Sequence, residues 1–216
     1  MLCGTNMTDI KISNRSAILR LLHEAGAMSR KQIAARLKLT PATITVIINE
    51  LMNESILVEG NSVPNAGAVG RREVMVEISR EKYVALGLAL SQGLVKFTVV
   101  NLHGEIIHEE TFKLPEILTP EYFAETIGRQ IQLKIASYGY SENFIIGIGI
   151  TVCGVVDFAN GIILDSDGIW EEKNVPIVKM FRKQFSFPVI AANNVRSYAN
   201  AYAFLQHDSQ LQNMLF

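Results

Sequence analysis

Between Arg30 and Asn49 the sequence sets out cationic, hydroxyl and amide side chains in a pattern suited to nucleic-acid contact. Arg30, Lys31 and Gln32 open one helical segment; Thr40, Ala42, Thr43, Thr45 and Asn49 lie along a second. Cations neutralise phosphates, hydroxyls and amides reach base edges, and small side chains permit close approach to thymine methyls in a major groove. A second cationic pair, Arg71 and Arg72, follows Gly70. Guanidinium groups on such a tip can reach a phosphate or a narrow minor groove. The plain alternative for that pair is a solvated surface.

These residues need elements to hold them. Ser29 is a natural N-cap, and Gln32 stands at the position that closes a capping box. Lys38-Leu39 reads as a turn, Thr40 as the next cap, and Pro41 fills the first helical position, where no N–H is needed. Ile44, Ile47, Ile48 and Leu51 recur at helical spacing and predict an inward stripe, leaving Ala42, Thr45, Val46 and Asn49 on the opposite face. An ordinary helical hairpin in a core is the plainer reading. Upstream, Met1 to Ser13 reads as a loose leader. A supporting helix follows from Arg15 to Ala25, capped by Ser13 or Asn14, with Ile18, Leu21 and Leu22 inward and Gly26 ending it. Downstream, Ile56 to Val58 predicts a strand, Glu59 to Gly70 an open loop, and Glu73 to Ile78 a returning strand. Three helices and a two-stranded ribbon make a winged helix-turn-helix, expected over residues 1–80.

Composition limits the rest. The chain has 216 residues, 49% hydrophobic and 8% aromatic, which excludes disorder and allows two modest domains. No apolar run reaches the length of a membrane span, and the N-terminus has no apolar signal-like region, so a cytoplasmic protein without a membrane partner is expected. Cys3 and Cys153 lie far apart without metal-ligand spacing and fit a reducing compartment. His23, His103, His108 and His207 are scattered and propose no metal site. Residues 1–80 hold ten basic and seven acidic side chains, net +3, while the remainder carries −4. A mildly basic front on an acidic body fits a DNA-binding module, though the asymmetry is small.

From about residue 81 to 216 the pattern changes to a second domain. Tyr83–Leu90, Leu94–Leu102 and Glu105–Leu114 predict an antiparallel meander with a turn at His103-Gly104. A helix is expected from Thr119 or Pro120 to Tyr138, with Phe123, Ile127, Ile131 and Ile135 inward. Phe144 to Ile150 reads as a strand buried on both sides, Gly161–Leu164 as a small hairpin partner, Val175–Gln184 as a helix, Pro188–Ala192 as a strand, and Arg196–Leu205 as a last helix. The expected class is α/β with a mixed sheet.

Several stretches carry a resemblance. They are NRSAILRLLHEAGAMSRKQIAARLKLTPATITVIINEL at 14–51, GRR at 70–72, IIGIGITVCGVVD at 145–157, then Trp170, Pro176 and FPVIAANNVRSYANA at 187–201. In order and spacing they resemble the ROK family, which groups sugar-responsive repressors with sugar kinases. The resemblance implies that the second domain is the first lobe of an actin-like ATPase (ribonuclease H-like) fold. It also implies double-stranded DNA as a partner, a homodimer on two-fold sites, and a small sugar effector. Asn193 and Asn194 fall on the pair that acts at the sugar in the family, and Gly154 falls in the family's Gly-loop, where a Pro-Gly pair is usual and backbone can come near a ligand. Plain alternatives for them are a turn glycine and helix-capping amides.

Departures from the family pattern bear on catalysis. Family kinases carry an Asn-Asp pair whose Asp is the general base; here the positions are Asn193 and Asn194, and an amide cannot take that proton. The stretch Gly87–Gly93 puts Ala89 near the place of a phosphate-loop Asp. The family's second lobe, with its His-rich Gly motif and zinc-binding cysteines, has no counterpart before Phe216, whether the chain is part of a longer protein or a short gene product. The reading is therefore a DNA-binding regulator, expected to repress carbohydrate-utilisation genes, with no catalytic residue, metal or cofactor. A sugar kinase with a regulatory front end is the alternative.

Overall fold

The computed structural model describes residues 6–60, 73–115 and 119–206. The chain divides into two compact units, Met1–Lys82 and Tyr83–Phe216.

In the first unit, helix α1 (Met7–Ala25) is followed by a two-residue strand β1 (Met28–Ser29), helices α2 (Arg30–Leu37) and α3 (Pro41–Asn53), and strands β2 (Leu57–Glu59) and β3 (Met75–Ile78). Ile18, Leu22, Ile33, Ile44, Ile47, Ile48 and Leu51 close the three-helix core, as the helical spacing requires. Leu57, Val76 and Ile78 bring the sheet onto it. The expected turn is present: Lys38 adopts the left-handed conformation at the end of α2, φ 54° and ψ 36°.

Two expectations need correction here. Residues 7–13 are helical, not a loose leader, and the cap is Asn6, whose Oδ1 accepts from the Thr8 N–H. Long-range ion pairs from Lys11 and Arg15 to α3 explain the added turns, and local sequence does not display them. The ribbon is also three-stranded, in the order β1-β3-β2, because Met28 and Ser29 pair antiparallel with Val76 and Met75. Two residues are too few to show a period. Arg71, Arg72 and the expected wing tip lie outside the described residues.

In the second unit, β4 (Val84–Ser91), β5 (Leu94–Asn101) and β6 (Ile106–Lys113) form the expected antiparallel meander. Helix α4 (Pro120–Ser137), capped by Thr119, buries Phe123, Ile127, Ile131 and Ile135. Strand β7 (Ile145–Val152) runs parallel to β4, β8 (Val155–Asp157) and β9 (Ile162–Asp165) make a small hairpin, and helix α5 (Ile177–Phe181) leads to β10 (Val189–Asn193), parallel to β7. The sheet order is β10-β7-β4-β5-β6, and helix α6 (Asn194–Gln206) follows.

Strand β7 is not buried on both sides. Ile148, Ile150 and Val152 are buried while Ile146 is half exposed, and Gly147 and Gly149 are only partly covered. The apolar run misled because its glycines remove side chains from one face. Helix α5 is shorter than the expected Val175–Gln184. Val175 is drawn into a bridge with Ile163, and Lys183 and Gln184 close i→i−3 turns instead of continuing the helix.

Candidate nucleic-acid interface and ligand site

The helix-turn-helix is built from its caps. Ser29 Oγ accepts the Gln32 N–H at 3.3 Å, and the Ser29 N–H donates to Gln32 Oε1 at 2.8 Å. Both halves of the capping box are therefore made, and they spend the carbonyl oxygen of Gln32. Thr40 Oγ1 accepts the Thr43 N–H at 3.2 Å and lies 2.9 Å from Thr43 Oγ1. Pro41 begins α3.

Opposite the buried stripe, Ala42, Thr45, Val46 and Asn49 are exposed on α3 at spacings of three, four and seven, and Thr43 is partly exposed beside them. Thr45 Oγ1 donates to the Pro41 carbonyl at 2.8 Å, so it faces outward with lone pairs and a methyl. No Lys or Arg occurs in α3. The cations stand on its flanks. On the α2 side, Arg30 places Nη2 3.4 Å from Asn49 Oδ1, and Lys31 is exposed. Arg30, Lys31, Leu39, Pro41 and Thr45 line a depression of about 400 Å³ between the two helices.

On the other flank stands α1. Lys11 Nζ lies 2.7 Å from Glu50 Oε1, and Arg15 grips Glu54 with both guanidinium nitrogens while its Nη1 also lies 3.6 Å from Glu50 Oε2. The Arg15 hydrogen bond holds the Glu54 carboxyl below the usual carboxylate range. Two cations of α1 thereby neutralise Glu50 of α3 and Glu54 at its C-terminal cap. Ile10, Lys11, Asn14, Ala42, Thr43, Val46 and Glu50 border a groove of about 440 Å³ between α1 and α3. Sequence reasoning placed Val46 on the outer face without naming it as a contact, and it missed Ile10 and Lys11. The spacing 42, 45, 46, 49 was the available signal for Val46; nothing local marked the α1 residues.

Of the nominated contacts, then, the structure gathers Ala42, Thr43, Thr45, Asn49, Arg30 and Lys31 around one helix face. Gln32 and Thr40 are exposed but occupied as caps.

The second set, Gly154, Asn193 and Asn194, meets at the ends of β7 and β10. Asn193 Nδ2 donates to the Gly154 carbonyl at 2.7 Å, and its Oδ1 accepts the Val195 and Arg196 N–H groups at 2.8 and 3.3 Å. That side chain ties a loop to a helix start. Asn194 Oδ1 accepts the Val195 N–H at 2.9 Å. Gly154 has φ 133°, and a Cβ there would lie 2.1 Å from the Asp165 carbonyl oxygen, so the turn itself requires glycine. Cys153 Sγ donates to Asp167 Oδ2 at 3.3 Å, and that bond raises the thiol above its usual range. Ala89 on β4 pairs with Lys96 and Thr151 and brings no carboxylate. Among the described residues, no group of three His, Cys, Asp or Glu side chains is placed to hold a metal ion, and no helix is long and apolar enough to cross a membrane.

Comparison with known proteins agrees with both units. A winged helix-turn-helix DNA-binding profile matches residues 13–58, and the ROK family profile matches residues 86–216. The chain is 28% identical over 196 residues to the DNA-binding transcriptional dual regulator NagC of Escherichia coli (strain K12), covering 91% of this chain and 47% of that protein. It is 27% identical over 191 residues to a putative xylose repressor of Caldicellulosiruptor sp. (strain Rt8B.4), covering 88% and 47%. The chain thus spans about half the length of these relatives. Its fold is shared with a ROK family transcriptional regulator described as a homolog of the E. coli MLC protein, with a TM-score of 0.75, 24% identity, and coverage of 92% of this chain and 50% of that one. A polyphosphate/ATP-glucomannokinase from Arthrobacter sp. strain KM shares the fold of the second unit, with a TM-score of 0.52, 17% identity, and coverage of 61% and 52%. A mixed α/β chain with a winged helix-turn-helix in front and an actin-like sugar-kinase fold behind, it belongs to the ROK family.

Proposed function

We propose that the chain is a DNA-binding transcriptional regulator that represses carbohydrate-utilisation genes and responds to a sugar or sugar phosphate. The observation that carries the reading is the exposed face of α3, free of charged side chains and flanked by Arg30 and Lys31 on α2. Such a face enters a major groove while the flanking cations meet phosphates. Relatives described as NagC and as a xylose repressor support the same reading. In it, residues 1–80 bind double-stranded DNA, Thr43, Thr45 and Asn49 stand nearest the bases, and Arg71 and Arg72 act from the wing. Residues 81–216 carry the effector site, with Gly154, Asn193 and Asn194 at its edge. A homodimer on two-fold DNA and a cytoplasmic location complete it.

Hexose phosphorylation is the rival activity. It lacks a general base, since Asn194 is an amide, and it lacks the phosphate-loop carboxylate, since Ala89 stands near that place. We therefore assign no catalysis, and a coupled ATPase assay across a panel of hexoses should show no turnover.

The deciding experiment is anisotropy of the purified chain on DNA from its own upstream region, at two salt concentrations, with scrambled DNA as competitor. Sequence-selective, salt-sensitive binding is expected. Weak binding without selectivity, persisting when residues 1–80 are fused to a dimeric coiled coil, would remove DNA recognition from the reading.

A further inference from the structure

We infer that α3 reads thymine C5-methyl groups, and that Val46 is the residue that sets this preference. The inference rests on the DNA-binding reading above and goes on to name what the face selects.

Consider what the exposed face can offer a base edge. Guanine is most often read by Arg or Lys, and α3 has neither. The Thr45 hydroxyl hydrogen is spent on the Pro41 carbonyl, so this side chain presents a methyl and lone pairs. The Asn49 Oδ1 lies 3.4 Å from Arg30, which leaves its amide N–H groups as the donors of the face. The Thr43 hydroxyl lies 2.9 Å from Thr40 Oγ1, at the cap, and the rest of the face is apolar. Val46 is 57% exposed, the most exposed large hydrophobic residue of α3, with the Ala42 methyl one turn before it. Ile10 of α1, 47% exposed, lies across the groove that Ala42 and Val46 border.

An exposed isopropyl group at this position is costly in water and gains when covered. In a major groove, the apolar feature of a base pair is the thymine methyl. The surroundings suit DNA better than an apolar protein partner. Lys11, Arg30 and Lys31 surround the face, and Glu50, the acid nearest the groove, is already paired with Lys11 at 2.7 Å. A duplex therefore meets cations at the edges, methyl-bearing side chains at the centre, and no unpaired acid between them.

The test uses the full chain and a site recovered by it from random-sequence DNA. Each thymine is replaced singly by deoxyuridine, which removes one methyl and keeps every hydrogen-bonding group. Burial of one methyl is worth about a three- to fivefold change in affinity. We expect that loss at one or two positions per half-site for the parent chain, and none at those positions for Val46→Ala. Val46→Thr, which keeps the shape and replaces one methyl by a hydroxyl, should lose part of it. A circular dichroism melt checks that both variants fold, as an exposed position allows. Selective binding that ignores every deoxyuridine overturns the inference and leaves DNA recognition standing. An equal uridine effect in Val46→Ala moves the methyl contact to another residue and overturns the role of Val46. Failure to select any site overturns both the inference and the reading beneath it.

Discussion

Arg30 reaches from α2 to α3, with Nη2 3.4 Å from Asn49 Oδ1 and 3.4 Å from Met52 Sδ. The guanidinium is thus leaned against the exposed face of α3. On the DNA-binding reading proposed above, an amide and a cation held together this way divide the work: the amide is assigned to a base edge and the cation to a phosphate. Asn49→Ala should cost about 1–3 kcal/mol of discrimination at one base pair, with non-specific affinity nearly kept. Arg30→Ala should weaken all sequences alike and lower the salt slope by about 0.9. Competition anisotropy on matched and mismatched duplexes separates the two. If Arg30→Ala abolishes sequence preference as fully as Asn49→Ala, the division is wrong.

The caps make a prediction about stability. Ser29 is buried, and its hydroxyl and backbone N–H are both engaged with Gln32. Ser29→Ala leaves the Gln32 N–H without its acceptor and should cost roughly 1–2 kcal/mol. Ser29→Thr should keep most of it. Amide hydrogen exchange along α2 reads the loss directly, and protection factors equal to those of the parent chain would mean that the box contributes nothing.

These caps were legible in the sequence because they are local: Ser29 and Gln32, Thr40 and Pro41 declare themselves within four residues. The meander was legible for a related reason, since two short apolar runs, a His103-Gly104 turn and a weakly alternating third stretch follow one another directly. The α1 extension was not. Lys11 and Arg15 meet Glu50 and Glu54 across 39 residues, and no local rule brings them together. Strand β1 escaped because pairing with Val76, not its own composition, makes it a strand. At Gly154, Asn193 and Asn194 the geometry displays the plain alternatives, a turn glycine and helix-capping amides, while the bond from Asn193 to the Gly154 carbonyl was not legible because it spans 39 residues.

The α1–α3 pairing carries a pH dependence. Glu54 is held below the usual carboxylate range, chiefly by the Arg15 hydrogen bond. A carboxyl whose folded value is depressed contributes stability above its unfolded value, near 4.3, and loses it as pH falls through the folded value. The Glu54 side chain is 43% exposed, so solvent screening keeps the effect within the range of surface pairs, roughly 0.2–1 kcal/mol. Exchange protection of α1 should fall as pH drops below the ordinary carboxylate range, about 4.3, and through the depressed folded value. In Glu54→Gln it should start lower at neutral pH and fall less. An identical acid profile in the variant would exclude Glu54 as a source of that dependence.

The wing gives a prediction from sequence alone. Arg71 and Arg72 follow Gly70 in the stretch between β2 and β3. Replacing both by Ala should weaken binding to every sequence and flatten the salt slope by up to about 1.8, two phosphate contacts' worth. An unchanged slope in the double variant would take the wing out of the DNA interface.

The last prediction concerns the loop that Asn193 holds. Gly154 sits at φ 133°, where L side chains rarely go, and a Cβ would meet the Asp165 carbonyl oxygen at 2.1 Å. Gly154→Ala therefore combines backbone strain of about 1–3 kcal/mol with a clash that only movement of the β8–β9 hairpin relieves. Asn193→Ala removes the amide that donates to the Gly154 carbonyl and caps α6, at a cost of roughly 1–2 kcal/mol. Neighbours that share one strap should not add: the double variant should lose less than the sum. Trp170, the protein's single tryptophan and buried in the core of the second unit, reports the melt by fluorescence. Strict additivity would show that Gly154 and Asn193 act separately.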